Sequence, residues 1–455
     1  MSESTLDSLW LRILPQPLRS RLAGRRLLQT LIANAGWLVA DKLVRLGVGL
    51  FVGVWVARYL GPAQFGSLNY VQAVVALIAA LATMGLPDLL VRDFVRHPER
   101  ARVIAATAVA LRCGGALVAL GIAVVVVLGE RPGERELLAM AVIVASSLLP
   151  LAFDSVDQFC QARNEVRPVV VLRNLGFLGC AAAKVTAIFL HAPLIAFAAI
   201  FSAEFAVVGL ALLIYGRRHG LPFTLADASG IEAARLMREA WPLLVRLLAI
   251  GVYMRVDQVL LGRLLDDRAV GIYAAAARIS EIWYFIPVAV MTAVVPRLAA
   301  RHAQSPAFYE HELLKVMRVI AALSLVAAIV MSLAARPIVA LLYGPAYAEA
   351  AAVLAVHAWS GLFVGLGVAS NAWFVNNSLL RYGLYQAVLG AAVSVALNLI
   401  LIPRLGIVGA AWAVIASQFV SAVLVNACFR QTRAILRLQL RAVGFPPPKV
   451  PATMR

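Results

Sequence analysis

The sequence is short of charged residues. Asp, Glu, Lys and Arg make up 14% of its 455 residues, whereas soluble domains carry roughly 25%. Apolar residues instead reach 62%. This composition argues against a water-soluble multidomain enzyme. It predicts a chain that crosses a bilayer many times, since each span needs about 20 mostly apolar residues.

Cysteine and histidine are scarce too, and the common enzyme motifs are missing. The four cysteines form no CxxC pair and have no partner histidine cluster, so neither a disulfide framework nor a zinc site is indicated. No GxxxxGK[ST], HExxH or glycine-rich βαβ motif is present, which excludes an ATP-driven pump. We therefore predict a protein that is not an enzyme and that holds no cofactor or metal.

Twelve apolar stretches follow one another along the chain. We predict an all-α polytopic membrane protein with about 12 transmembrane helices, six on each side of a polar segment. The stretches are residues 34–57, 66–87, 103–128, 137–158, 168–190, 194–215, 242–262, 271–295, 317–341, 351–377, 382–402 and 407–429.

These stretches divide the chain into five predicted parts. A basic cytoplasmic tail (1–33) precedes an N-lobe (34–216), and a cytoplasmic linker (217–240) leads to a C-lobe (241–430) and a cytoplasmic tail (431–455). Placing the N-terminus inside assigns 27 Lys and Arg residues to inner segments and seven to outer loops. That asymmetry supports cytoplasmic termini and accounts for the net charge of +18 without nucleic acid.

A faint internal repeat supports two lobes related by a pseudo-two-fold axis along the membrane normal. Arg58 and Gly66 bracket the first outer turn, and Arg263 and Gly271 bracket the turn after helix 7. Both pairs of equivalent positions are 205 residues apart. Parallel repeats of this kind occur in transporters.

Seven basic residues lie within predicted spans, where each costs roughly 2.5–3.5 kcal/mol at the bilayer centre. Most must therefore face a wet or paired interior. Snorkelling to the interface is the simplest account of Arg246. Helical spacing places Arg173 on one stripe with Lys184, so Arg173 joins the candidates. The seven are Lys42, Arg45, Arg112, Lys184, Arg246, Arg255 and Arg278.

The acids within the spans are fewer than these cations. Asp41 is four residues from Arg45, Glu281 is three from Arg278, and the others are Asp257 and Glu204. Paired charges that clamp helices together are one interpretation. The surplus of cations favours a second, a cavity that binds an anion such as a lipid-linked diphosphate, because guanidinium groups suit phosphate oxygens. Another acidic group, Asp154 and Asp157, is expected to pair with nearby arginines.

Four motifs then carry a resemblance that runs nearly end to end. The chain resembles the polysaccharide transporter, or Wzx-type, branch of the multidrug, oligosaccharidyl-lipid and polysaccharide flippase superfamily. The motifs are RYLGPAQFG (58–66), RVD with GIY (255–257 and 271–273), LYGPAY (342–347) and NLILIPRLGIVGAA (398–411).

The resemblance implies a flippase of the bacterial inner membrane. Its cargo would be an undecaprenyl-diphosphate-linked oligosaccharide, an O-antigen or exopolysaccharide repeat unit, moved to the periplasmic leaflet by alternating access. Membrane lipids, a glycan polymerase and a chain-length regulator are candidate partners. A cation-coupled multidrug exporter on the same fold, and a membrane glycan polymerase or glycosyltransferase, are the alternatives.

On this hypothesis the basic side chains attract the diphosphate and sugar acids, while Asp41, Asp257 and Glu281 reset the cavity. A coupling ion, H⁺ or Na⁺, is left open. The predicted substrate-binding residues are Lys42, Arg45, Arg112, Arg173, Lys184, Arg255 and Arg278.

Overall fold

The computed structural model describes residues 26–221, 223–302 and 305–444. These residues form helices and turns, and no strand occurs among them. Lipid offers no hydrogen-bond partners, so an apolar run that enters a bilayer must satisfy its backbone internally, as a helix does. The prediction of an all-α fold is confirmed.

The first half contains seven α-helices and three 3₁₀ turns. The turns are Pro98–Arg100, Pro150–Asp154 and Leu225–Asp227. The helices are α1 (Arg26–Thr83), α2 (Pro87–Arg96), α3 (Ala101–Glu130), α4 (Arg135–Ser146), α5 (Ser155–Ala162), α6 (Val166–Phe189) and α7 (Leu194–Arg218).

The second half contains ten α-helices, the 3₁₀ turns Ile282–Tyr284, Pro345–Tyr347 and Arg430–Thr432, and a π-helix at Val420–Leu424. The helices are α8 (Gly230–Leu264), α9 (Asp267–Glu281), α10 (Phe285–His302), α11 (Pro306–Leu333), α12 (Ala335–Tyr343), α13 (Ala350–His357), α14 (Ser360–Asn376), α15 (Leu380–Phe419), α16 (Val425–Cys428) and α17 (Arg433–Ala442).

Nine helical stretches in the described part of the chain are long and apolar enough to cross a membrane. Two of them, Val44–Arg96 and Arg381–Cys428, are 53 and 48 residues long. A bilayer crossing takes about 20 residues, so each could cross twice. Both are broken at a glycine with positive φ, Gly61 at 70° and Gly406 at 60°, a backbone region that glycine adopts readily. The twelve-span count stays a prediction.

Helices extend past the predicted lobe boundaries. The first described helix begins at Arg26, within the predicted tail, and α17 lies in the predicted C-terminal tail. Within the predicted linker, α8 begins at Gly230, where the Ser229 hydroxyl caps the Glu232 N–H at 3.5 Å. Polar helix ends can continue into water, so hydropathy underestimates helix length. Residues 1–25 and 445–455, which complete the two tails, lie outside the described residues.

An ion-pair cluster joins the start of α8 to α2. The Arg92 and Glu239 side chains approach to 2.5 Å, as do those of Arg235 and Asp93. Arg235 also binds Glu239 at 3.0 Å. Several charges in one network hold better than isolated surface pairs. The cluster therefore holds the linker against the first half. The charge distribution predicts that this end of the bundle is cytoplasmic, and we call it the inner end.

The hydrophobic core differs between the two ends of the bundle. Towards the opposite, outer end, one continuous core takes in Val54 and Phe65 of α1 together with Ile272 of α9 and Tyr347. Towards the inner end there are separate clusters. One includes helices of the first half and the start of α8, and the other belongs to the second half. The two halves therefore share one core at the outer end, whereas at the inner end, among the described residues, only the start of α8 packs on the first half.

Two glycines allow a close backbone contact between the halves. A Cβ on Gly66 of α1 would overlap the Asp267 carbonyl and lie 2.9 Å from the Gly271 nitrogen. A Cβ on Gly271 of α9 would overlap the Pro62 carbonyl and lie 3.0 Å from the Gly66 nitrogen. Pro62 and Asp267, like Gly66 and Gly271, are 205 residues apart. Such reciprocal contacts are expected where equivalent positions meet at a two-fold axis.

Side chains reinforce this contact in the same reciprocal manner. The Tyr347 hydroxyl donates to the Ala57 carbonyl at 2.8 Å, and the Arg131 guanidinium donates to the Gly262 carbonyl at 2.7 Å. Ala57 and Gly262 are again 205 residues apart. Arg131 also pairs with Asp267 at 2.6 Å. The outer end is therefore sealed by bonds that run in both directions between the halves.

A leucine at position 66 should prevent this seal, because overpacking a close contact costs about 1–3 kcal/mol. We expect Gly66→Leu to raise the labelling rate of a Gln72→Cys reporter by a membrane-impermeant thiol reagent added outside. The measurement uses protein in sealed vesicles with the four native cysteines replaced.

Gly121→Leu is the matched control, since a Cβ at Gly121 meets nothing within 4 Å. Equal labelling of the two leucine variants would show that the glycine contact does not hold the outer end closed.

Candidate functional site

A cavity of about 560 Å³ lies between the halves. Its walls come from α1, α6, α7, α8 and α9. Two segments of α1 line the cavity, one from Arg45 to Val56 and the other from Phe65 to Ala76. At 1.5 Å per residue each segment is about 16 Å long. Phe65, whose ring lies 6.4 Å from that of Tyr347, lines the outer end. The cavity therefore reaches deep into the bundle below the seal.

Four cations and two carboxylates line this cavity among the described residues, which leaves two positive charges in surplus. Each half contributes two cations and one acid. They are Arg45, Lys184 and Glu204 from the first half, and Arg255, Arg278 and Glu281 from the second.

In the first half Glu204 lies near two cations. Glu204 lies 3.6 Å from Arg45 and 4.0 Å from Lys184. Arg45 also donates to the Arg173 carbonyl at 2.9 Å and lies over the Phe177 ring, 5.0 Å from its centroid. Both contacts to Glu204 are long for charge-assisted hydrogen bonds, so its charge is spread between the two cations.

In the second half Glu281 pairs with Arg255 on the neighbouring helix at 3.2 Å. The sequence predicted Arg278 as its partner, and this is wrong. Among the described residues Arg278 has no carboxylate partner. Its guanidinium lies 5.5 Å from the Phe65 ring centroid, in space that a Cβ on Gly53 would fill. Arg278 is therefore the cavity cation whose charge is least compensated.

Three of the seven predicted substrate-binding residues, Lys42, Arg112 and Arg173, do not line this cavity, contrary to the expected shared interior. Lys42 is exposed. Arg173 pairs with Asp154 at 3.0 Å and Asp157 at 2.8 Å. The sequence predicted that these two acids pair with nearby arginines.

Arg112 is 1% exposed and donates to Gln158 at 3.1 Å and Ser155 at 3.3 Å. Helical periodicity predicts which face of its helix each cation occupies. It does not predict which neighbouring helix that face contacts. Arg112 and Arg173 meet α5 and the turn before it.

Of the three predicted cavity acids, Asp257 does not line the cavity. Asp257 is 3% exposed and accepts hydrogen bonds from the Tyr273 hydroxyl and the Gln258 N–H. It is thus a buried, bonded carboxylate of the second half that does not line the cavity. The side chain of Asp41 lies outside the described residues. Glu281 lines the cavity as predicted.

Neutral polar side chains complete the lining. Asn69 and Gln72 of α1 and Gln258 of α8 face the cavity. Asn69 and Gln72 are not among the residues predicted from the sequence. Two amides three residues apart in an apolar helix nevertheless lie on one face of that helix. Amides can donate to sugar hydroxyls or phosphate oxygens as well as accept. No group of three metal-ligating side chains occurs in the described part of the chain.

The Arg255–Glu281 pair should couple in a double-mutant cycle. Its side chains are 32% and 24% exposed. We therefore expect a coupling energy of about 1 kcal/mol, a value between those typical of surface ion pairs and of buried ion pairs. Thermal unfolding of Arg255→Gln, Glu281→Gln and the double variant measures it.

Arg268 and Glu349, 51% and 60% exposed, provide a control pair at 2.9 Å. Their coupling should be near zero. Equal couplings for the two pairs would contradict a special contribution from the cavity pair.

Comparisons with known proteins give two family matches. A family model described as polysaccharide biosynthesis protein matches residues 31–302. A second, described as MatE, matches residues 242–400. A comparison with curated proteins finds no match.

Solved structures share the fold. An inward-facing multidrug resistance MATE family transporter of the MOP superfamily has a TM-score of 0.69 at 14% identity, with 90% of this chain and 98% of that chain covered. The lipid II flippase MurJ, in an inward closed conformation, has 0.70 at 11%, with 90% and 91% covered. A MOP superfamily transporter from Pyrococcus furiosus, described by the reverse polarity of its binding pocket, has 0.61 at 13%, with 91% and 95% covered.

Proposed function

The chain belongs to the polysaccharide biosynthesis protein family, and from this we propose that it is a flippase for a polyprenyl-diphosphate-linked oligosaccharide. The cargo would be an O-antigen or exopolysaccharide repeat unit, taken from the cytoplasmic to the periplasmic leaflet of the bacterial inner membrane. Cytoplasmic termini belong to this proposal. The shared fold with MurJ, which is named as a lipid II flippase, supports it.

The observation that carries the proposal is the charge of the cavity. Four cations face two carboxylates, and Arg278 has no carboxylate partner in the described structure. A diphosphate brings the missing negative charge, and the planar guanidinium groups match its oxygens in bidentate fashion. The amides of Asn69, Gln72 and Gln258 could bind the attached sugar.

Transport by this route needs no chemical step. The sealed outer end and the separate inner cores give a state in which the head group can load from the inner side, and the opposite state delivers it. An inside-negative potential would assist, since moving one negative charge outward gains about 2.3 kcal/mol per 100 mV. We propose no enzymatic activity and no resident cofactor, and H⁺ or Na⁺ as the coupling ion if one is used. A glycan polymerase and a chain-length regulator would act on the product.

Neutralising Arg278 should weaken cargo binding. A hydrogen bond to a charged group is worth about 1.5–3 kcal/mol, so we expect Arg278→Gln to lose roughly 10- to 100-fold in apparent affinity. The assay is arrival of a fluorescent lipid-linked oligosaccharide in the opposite leaflet of proteoliposomes. Arg278→Lys, which keeps the charge, should lose less.

Arg437→Gln is the control for this experiment, since Arg437 is an exposed cation of α17, away from the cavity. If Arg278→Gln and Arg437→Gln transport equally well, the uncompensated cavity charge does not bind the cargo.

A cation-coupled multidrug exporter is the second candidate. The MatE match over residues 242–400 and the fold shared with multidrug MATE transporters favour it. A cationic drug should be attracted by surplus carboxylate, whereas this cavity has surplus cations. The charge balance therefore favours the flippase.

Two further substitutions, Arg45→Ala and Lys184→Ala, separate the candidates. For the flippase, Arg45→Ala and Lys184→Ala should each reduce lipid-linked oligosaccharide transport about 10-fold or more, because each removes a cavity charge. For the exporter, they should leave oligosaccharide transport unchanged and increase efflux of a cationic dye. Dye efflux from the same vesicles is the parallel measurement.

A further inference from the structure

A second pocket with a cation lies within the second half, apart from the central cavity. Its volume is about 290 Å³, and it lies between α8, α14 and α15 with the π-helix that follows. No carboxylate is among its lining residues. The polar side chains that line it are Arg246, Tyr253, Asn371, Gln386, Gln418 and Ser421.

Arg246 lines this pocket, which the snorkelling interpretation of the sequence did not anticipate. Its guanidinium donates to the Asn371 side-chain oxygen at 3.3 Å. A Cβ on Gly383 would lie 3.2 Å from the guanidinium carbon, so the glycine makes room for the cation, as Gly53 does for Arg278. No described carboxylate pairs with Arg246. The positive charge is therefore held in place without an acidic partner.

Neutral polar side chains line the rest of this pocket. Gln418 is 5% exposed, and among the described residues its amide N–H contacts the Met254 sulfur, at 3.8 Å. Sulfur is a weak acceptor, so the buried amide keeps donor capacity. The Ser421 hydroxyl lies in the π-helix and donates to the Gln386 carbonyl at 3.0 Å. Single π-turns inside helices are frequent at functional sites.

The pocket lies near the inner end of the bundle. Asn371 is five residues from the end of α14 at Asn376, and Gly383 is three from the start of α15 at Leu380. At 1.5 Å per residue these positions are within about 8 Å of the helix ends. That depth is close to the head groups of the predicted cytoplasmic leaflet, and basic pockets between transmembrane helices on this side bind phosphate head groups.

We propose that the pocket around Arg246 binds a phosphate group as an anion site separate from the cargo cavity, with the Arg246 guanidinium and the adjacent Asn371 amide as donors. Two sources share this chemistry, the phosphodiester of an anionic phospholipid and inorganic phosphate. The surface arginines of α17 are a rival location for lipid binding, because Arg433, Arg437 and Arg441 are exposed.

Native mass spectrometry of the full chain, delipidated in neutral detergent, tests this site. Phosphatidylglycerol, phosphatidylcholine and inorganic phosphate are titrated separately and then in competition. We expect one phosphatidylglycerol or one phosphate to bind at least 10-fold more tightly than phosphatidylcholine, and Arg246→Gln to remove that preference. Competition by inorganic phosphate at equal concentration identifies free phosphate as the source. Its failure to compete identifies the lipid.

Matched variants keep the outcome clear. Arg246→Lys should retain part of the preference, and Gly383→Val should weaken it while the arginine remains. Arg437→Gln should bind like the unmodified chain, since its exposed arginine lies outside the pocket. If Arg246→Gln still folds and keeps the preference, or if Arg437→Gln abolishes it, the proposal is overturned. Should Arg246→Gln not fold, an unchanged preference in Gly383→Val overturns it.

Discussion

The approach of two backbones at Gly66 and Gly271 is the constraint on which the rest of the structure depends. Only residues without a Cβ allow α1 and α9 to come this close. The contact joins the halves at the outer end, where they share one core, and leaves separate clusters towards the inner end. A deep polar cavity can exist below it because the apolar packing that holds the halves together lies above.

Charged residues in the membrane part of the bundle fall into two groups with different surroundings. Arg112 and Asp257 are almost completely buried and are held by neutral or backbone partners within one half. The cavity cations are partly exposed: Arg45 and Lys184 both contact Glu204, Arg255 pairs with Glu281, and Arg278 has no carboxylate partner among the described residues. Buried charges without partners are very costly, so incomplete pairing is tolerable where water or cargo can enter. Exposure to the cavity, rather than pairing alone, therefore distinguishes charges available to a ligand from structural charges.

The sequence predicted the helices well, because apolar runs and the scarcity of charge leave few alternatives in a bilayer. It also placed Arg45, Lys184, Arg255 and Arg278 in a common interior. It failed where the answer depended on a neighbouring helix. Periodicity shows on which face of its own helix a residue lies. Packing between helices decides that Glu281 pairs with Arg255 and not with Arg278. The equal spacing of Gly66 and Gly271 hinted at a repeat but not at their contact.

The even division of cavity charge has a consequence for how tightly an anion is held. On the proposed function, cations of both halves would bind a multivalent head group at once, since each half brings two cations and one carboxylate to the described lining. Coulomb attraction weakens with distance, so a hinge motion that separates the two walls would weaken the attraction to at least one of them. Affinity would then depend on geometry, and the motion that exposes the cargo would also release it, whether or not a coupling ion takes part.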